Sequence, residues 1–111
     1  MTATAVADTV FAGIHARGRD MRLECQWIEP GRRQAPLLVF LHEGLGSVSM
    51  WKDWPRRVCD AAACRGLVYS RYGYGQSTAR PPQEKWPVDF MHQEAREVLP
   101  ALFTASGCIA A

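Results

Sequence analysis

No apolar run in this sequence approaches the roughly 20 residues that a membrane-spanning helix needs, so no membrane segment is expected. Residues Met1 to Ala7 lack both a basic stretch and a true apolar core, which excludes a secretory signal and makes a cytoplasmic location the expectation. Cysteine is sparse. Cys25, Cys59, Cys64 and Cys108 offer no second pair at a zinc-ribbon spacing, so they read as small buried thiols rather than metal ligands or disulfides. Charge of one sign is also missing: 13 basic and 11 acidic residues leave a net charge of +2, which argues against a nucleic-acid surface. Arg32-Arg33 and Arg56-Arg57 read as solvated loop and helix surface. There are no internal repeats and no low-complexity tracts.

The chain has 111 residues, 48% of them hydrophobic, which sets a limit of one small domain with a real core. Residues 1–8 are small and weakly apolar and read as a disordered tail, with the folded part at 9–111. Val10 to His15 reads as a first strand, and Gly18 places a turn between Ala16 and Asp20. From Met21 to Trp27 odd positions are apolar and even positions polar, the period of a strand with one wet face. The two strands form an antiparallel hairpin, at a sheet edge or on an exposed part of the sheet. After a loop bounded by Pro30 and Pro36, Leu37 to His42 is a continuous apolar run, the pattern of a strand buried on both faces.

A helix follows, with Asp53 as N-cap, Pro55 in its first turn and Trp51, Trp54, Val58 and Ala61 as its apolar face. Gly66 is placed to stop it. Leu67 to Ser70 is a second buried strand, and 78–87 a proline-rich loop. Asp89 is placed to cap a second helix running to about 104, with Val88, Met91, Ala95, Val98 and Leu102 as its stripe and Pro100 to kink it or lift the preceding turn. Strand–helix–strand with buried strands means a parallel pair and an α/β class.

Both buried strands end in polar, glycine-rich turns, His42-Glu43-Gly44-Leu45-Gly46-Ser47 and Ser70-Arg71-Tyr72-Gly73-Tyr74-Gly75-Gln76-Ser77. In open α/β sheets that end of the strands is where ligands bind. A nucleotide-binding domain is the weaker reading of the first turn. Gly44 and Gly46 fit a dinucleotide fingerprint, but Ser49 stands at the third position, and Lys52 is in no phosphate-loop context. An oxyanion hole built of loop N–H groups is another reading, and a plain strand-to-helix turn a third.

Arg71 lies 29 residues after His42, at the end of the next strand, so the two turns share one sheet edge. Together they resemble the α/β-hydrolase family: the first is similar to its H-G-x-x-G loop after the third strand, the second to its D-R-x-G-x-G-x-S turn after the fourth. The resemblance runs from about residue 10 to about 105. It implies hydrolysis of an ester or related acyl substrate by a Ser-Asp/Glu-His triad, without cofactor or metal. It places an oxyanion donor on the backbone of Gly44 or Leu45. It makes His42, Glu43, Gly46, Arg71, Gly73, Gly75 and Ser77 loop-organising residues rather than catalytic ones.

Two positions depart from the family pattern. Glu43 replaces a glycine, and Ser70 replaces the aspartate that opens the second turn. The nucleophile elbow G-x-S-x-G does not occur: Ser47, Ser49, Ser70, Ser77 and Ser106 all lack its flanking glycines. Ser77 reads as a turn hydroxyl bonding local backbone. His15 and His92 read as surface or packing residues, Asp89 and Glu94 have no triad partner in chain order, and Cys108 has no base beside it.

The expectation is therefore the N-terminal part of an α/β-hydrolase sheet: a hairpin, two parallel strands and two helices, with no catalytic residue of its own. A small-molecule substrate is expected only in a complete enzyme. The third strand, left at an apolar edge, is expected to promote self-association or to bind a partner.

Overall fold

The computed structural model describes residues 9–42 and 46–105. The expected tail, Cys108 and Ser106 lie outside them, as do Glu43, Gly44 and Leu45.

Strands β1 (Thr9–Ala16) and β2 (Arg19–Ile28) pair antiparallel in register from Thr9↔Gln26 to Ala16↔Arg19. Only Arg17 and Gly18 separate them, and both have positive φ, 57° and 74°, as a tight hairpin turn of this twist requires. Strand β3 (Leu37–Phe40) and strand β4 (Arg65–Tyr69) pair in parallel, and β4 pairs antiparallel with β2. The order is β1-β2-β4-β3, so the hairpin sits at one edge as expected. Among the described residues β3 forms the other edge. Its expected burial on both faces is only partly realised: Leu37, Leu38 and Val39 are half-buried, because nothing described covers the outer side of the strand.

The period-2 rule divides the core. Leu67 and Tyr69 of β4 face Met21, Leu23 and Cys25 of β2, with Val98 and Leu102 packed over them. Val68, Ile28 and Phe40 face the other way, against Val48 and Cys59. The sheet is thus clad by one helix on each face. Burying Val98 and Leu102, at 1% and 0% exposure, contributes about 1.5–3 kcal/mol each.

The first helix, α1 (Trp54–Ala62), starts at Asp53 with Pro55 in its first turn. Its buried face differs from the expected one. Pro55 and Cys59 are buried, whereas Trp54 is 55% exposed and Ala61 is exposed. Trp51 belongs to a separate 3-10 turn (Val48–Trp51), which sets it out of phase with the helix. The helix also stops before Gly66. Ala63 takes the left-handed C-cap position at φ 54°, ψ 41°. Arg32, expected at the solvated surface, reaches over the helix end: its guanidinium donates to the carbonyls of Cys59 (3.2 Å) and Cys64 (2.9 Å) and to Asp60 (3.1 Å). Gly66 is a β4 residue instead. A Cβ there would lie 2.6 Å from Cys59 Sγ and 3.2 Å from the Ile28 side chain, so glycine is what lets α1 lie close against the sheet.

The second helical segment runs through α2 (Phe90–Gln93), a π-helical turn (Glu94–Val98) and α3 (Leu99–Ala105). In the π turn the N–H of Leu99 donates to the carbonyl of Glu94, five residues back. The turn directly precedes Pro100, where a lifted turn was expected. Val98 and Leu102 of the expected stripe are buried, and Glu94 joins them; Met91 and Ala95 are exposed, as is Val88, which lies before the helix. The hairpin tip ties the 78–87 loop to this side. Arg19 donates to the Tyr72 hydroxyl and to Glu84 (2.7 Å), and Arg17 lies over the rings of Tyr72 and Trp86.

Glu94, 9% exposed, accepts a 2.5 Å hydrogen bond from the Tyr69 hydroxyl in the core. Burial raises its pKa above 4.5, against the opposing effects of the Tyr69 bond and the Arg71 and Arg17 charges. The folded chain therefore holds this proton more tightly than the unfolded chain. The resulting stability is fully present below the unfolded value and is lost as pH rises through the folded one. Glu94→Gln is expected to stabilise the protein at pH 7, the gain shrinking as pH falls through the raised folded pKa and gone by about 4.5, measured as urea midpoints across pH. Gly66→Ala is expected to cost about 1–3 kcal/mol by overpacking, read as a lower urea midpoint with unchanged slope.

Candidate functional site

Where β3 and β4 end, the chain brings its two glycine-rich turns together. His42, 5% exposed, turns its ring toward the second turn, and its Nε2 accepts the backbone N–H of Arg71 at 3.0 Å. A nitrogen that accepts here carries no proton, so the bond fixes the ring's orientation and its tautomer. Arg71, 8% exposed, places its guanidinium 3.5 Å from the His42 carbonyl and over the Tyr74 ring. The rings of His42 and Tyr74 lie 4.9 Å apart, and Tyr74 stacks on Trp86. His42 thus links the two turns.

The second turn folds back on β2. Ser77 Oγ donates to the nearby carbonyl of Ser70 (2.6 Å), the local backbone bonding expected of it, and also accepts the N–H of the distant Glu24 (2.8 Å). Thr78 exchanges bonds with the backbone of Arg22 (2.8 Å from each N–H). Gly75, at φ 51°, has no room for a side chain: a Cβ would stand 2.5 Å from Glu24 Oε1 and 2.6 Å from Ser70 Oγ. Gly73 shares the positive φ, at 89°.

One residue of the site was not singled out by its sequence pattern. Glu24 lies on the even, expectedly wet face of β2, yet it is 7% exposed because the 70–77 turn covers it. Its Oε1 accepts the Ser70 hydroxyl (2.8 Å) and the N–H of Gln76 (3.0 Å). Ser70 Oγ in turn accepts the N–H of Val48 (2.8 Å). The only sequence signal for Glu24 is an acid in mid-strand, flanked by Leu23 and Cys25.

Glu43, Gly44 and Leu45 lie outside the described residues, but both flanks of that loop are described. Gly46 is buried, where a Cβ would meet Met50 Sδ at 2.1 Å and His42 Cβ at 3.0 Å. His42, Gly46, Arg71, Gly73, Gly75 and Ser77 are therefore assembled at one end of the sheet.

The other ionisable groups lie apart. His15 is exposed and paired with Asp20 at 2.7 Å, and His92 and Asp89 are exposed. Cys25, Cys59 and Cys64 are buried free thiols, and burial pushes Cys25 up to about 12. Among the described residues no group of three or more His, Cys, Asp or Glu could hold a metal ion, and no helix is long and apolar enough to cross a membrane.

No family model matches the chain. It is 26% identical over 89 residues to Epoxide hydrolase 4 of Mus musculus, covering 79% of this chain and 24% of that protein. It superposes with a TM-score of 0.60, at 22% identity, on a thermophilic esterase from Thermogutta terrifontis solved with malate bound. That match covers 92% of this chain and 33% of the esterase. The chain thus spans about a quarter of the curated relative and a third of the solved one. The mixed four-stranded sheet, the helices and the two joined turns, with these likenesses, make the chain part of an α/β-hydrolase fold.

Proposed function

We propose that these residues form the N-terminal part of a hydrolase of the α/β-hydrolase type, acting on an ester or related acyl substrate. They would supply the oxyanion half of its active site through the backbone of Gly44 or Leu45. The observation that carries this reading is the bond from Arg71 N–H to His42 Nε2, which joins the two turns at the end of a parallel strand pair. The names of the two similar proteins, an epoxide hydrolase and an esterase, agree on hydrolysis and differ in the bond cleaved. The triad would come from residues beyond these 111, since no G-x-S-x-G stands among them. The chain by itself is then inactive. A fluorophosphonate probe is expected to leave the purified chain unlabelled, and labelling would overturn the reading. Co-expression with a chain that begins at the fifth strand of such a fold is expected to restore labelling. Translation downstream of codon 111 is expected to show a G-H-S-x-G after an apolar run.

A second reading is favoured by the position of β3 at the sheet edge among the described residues. Residues 37–41 carry no charge and no proline, and Leu41 is 50% exposed. Such an edge pairs with another strand, either a second copy of this chain or the complementary part of the fold. Size-exclusion chromatography with light scattering at tens of micromolar is expected to show dimers or larger species, and Leu41→Lys to reduce them. A well-behaved wild-type monomer would remove this reading.

A further inference from the structure

We infer that Glu24 and Ser70 form a positioning pair that holds the far end of the loop leaving β3. The pair stands on geometry; only the purpose of the loop rests on the hydrolase reading above. A serine hydroxyl has one proton to give and oxygen lone pairs to accept with. Here both directions are forced. The Glu24 carboxylate only accepts, so the Ser70 proton lies along the 2.8 Å line to Oε1. The backbone N–H of Val48 only donates, so Ser70 Oγ must accept it, also at 2.8 Å. No other rotation of the hydroxyl satisfies both neighbours.

The surroundings leave the pair no alternative arrangement. Ser70 is 0% exposed, Val48 4% and Glu24 7%. The Gln76 N–H approaches the same carboxylate oxygen at 3.0 Å, and Gly75 closes over it without a side chain. The backbones are locked as well: Ser70 N–H donates to the Glu24 carbonyl (2.9 Å), and Glu24 N–H donates to Ser77 Oγ. Glu24 is therefore joined to the second turn through its N–H, its C=O and its carboxylate.

The consequence falls on the loop between. Its near end, His42, is held by the N–H of Arg71, and its far end, Val48, by the hydroxyl of Ser70. Two consecutive residues of the β4 turn thus hold His42 and Val48, which flank in sequence the proposed donors Gly44 and Leu45. Among the described residues Glu24 reaches Val48 through Ser70, so it is a positioning residue at one remove.

The test is amide hydrogen exchange and chemical shift, followed by NMR on the full chain. Glu24→Ala is expected to speed exchange at Val48 and Gln76 by about tenfold or more and to move their resonances, leaving Leu67 and Leu102 protected. Ser70→Ala should do the same at Val48. The double variant should be no worse there than Ser70→Ala alone, because Glu24 works through that hydroxyl. Ser70→Thr, which keeps the hydroxyl, should preserve Val48 protection. Unchanged Val48 exchange in Glu24→Ala, additive effects in the double variant, or loss of protection in Ser70→Thr would overturn the inference. Should Glu24→Ala fail to fold, Glu24→Asp draws the acceptor back by one methylene. It is expected to shift the Val48 amide selectively, and a spectrum unchanged at Val48 would again overturn the pair. These readouts need no activity, so a failure of labelling on co-expression would remove the hydrolase reading and leave the pair standing.

Discussion

The structure depends on how β4 is packed. Among the described residues it is the strand that joins an antiparallel neighbour, β2, to a parallel one, β3, and it serves both cores. Leu67 and Tyr69 go to one face and Val68 to the other, while Gly66 carries no side chain, so that Cys59 of α1 can sit against the sheet. Interiors packed at crystal-like density cannot shift one side of such a strand without moving the other. The register of β4 therefore sets the distance to α1, the seat of the 90–105 helical segment and the height at which the turn after Tyr69 emerges.

That turn is where packing becomes a site. Residues 70 and 71 leave the sheet beside the end of β3 and engage it at once, Ser70 at Val48 and Arg71 at His42. The acid is placed unexpectedly. A sequence-level comparison with the hydrolase turn puts a carboxylate at position 70, where this chain has serine. The fold brings a carboxylate to the same hydroxyl from β2. A carboxylate buried in this way is tolerable because its neighbours donate to it: the Ser70 hydroxyl and the Gln76 N–H supply what water would have supplied. A similar logic places Glu94 in the core against the Tyr69 hydroxyl, where burial instead favours its protonated form.

The sequence by itself determined the strands, their order of appearance and the two turns. Alternation in Met21 to Trp27, the apolar run from Leu37 and the glycines after each buried strand are local signals that need no partner to be read. It also set His42 and Arg71 at the same sheet end, since they follow successive parallel strands. What it could not determine was which face of each helix is buried. Trp54 and Met91 look like core residues by period but are exposed; a separate 3-10 turn takes Trp51 out of the first helix, and a π turn interrupts the second. Only the tertiary structure decided that Gly66 serves a close contact instead of a helix stop. Only it decided that Arg32 covers a helix end instead of facing water, and that Glu24 is buried instead of wet. The physical reason is common to all three. Each role is fixed by a partner far away in sequence, Cys59 for Gly66, Cys64 for Arg32 and Ser70 for Glu24, and local periodicity carries no record of a distant partner.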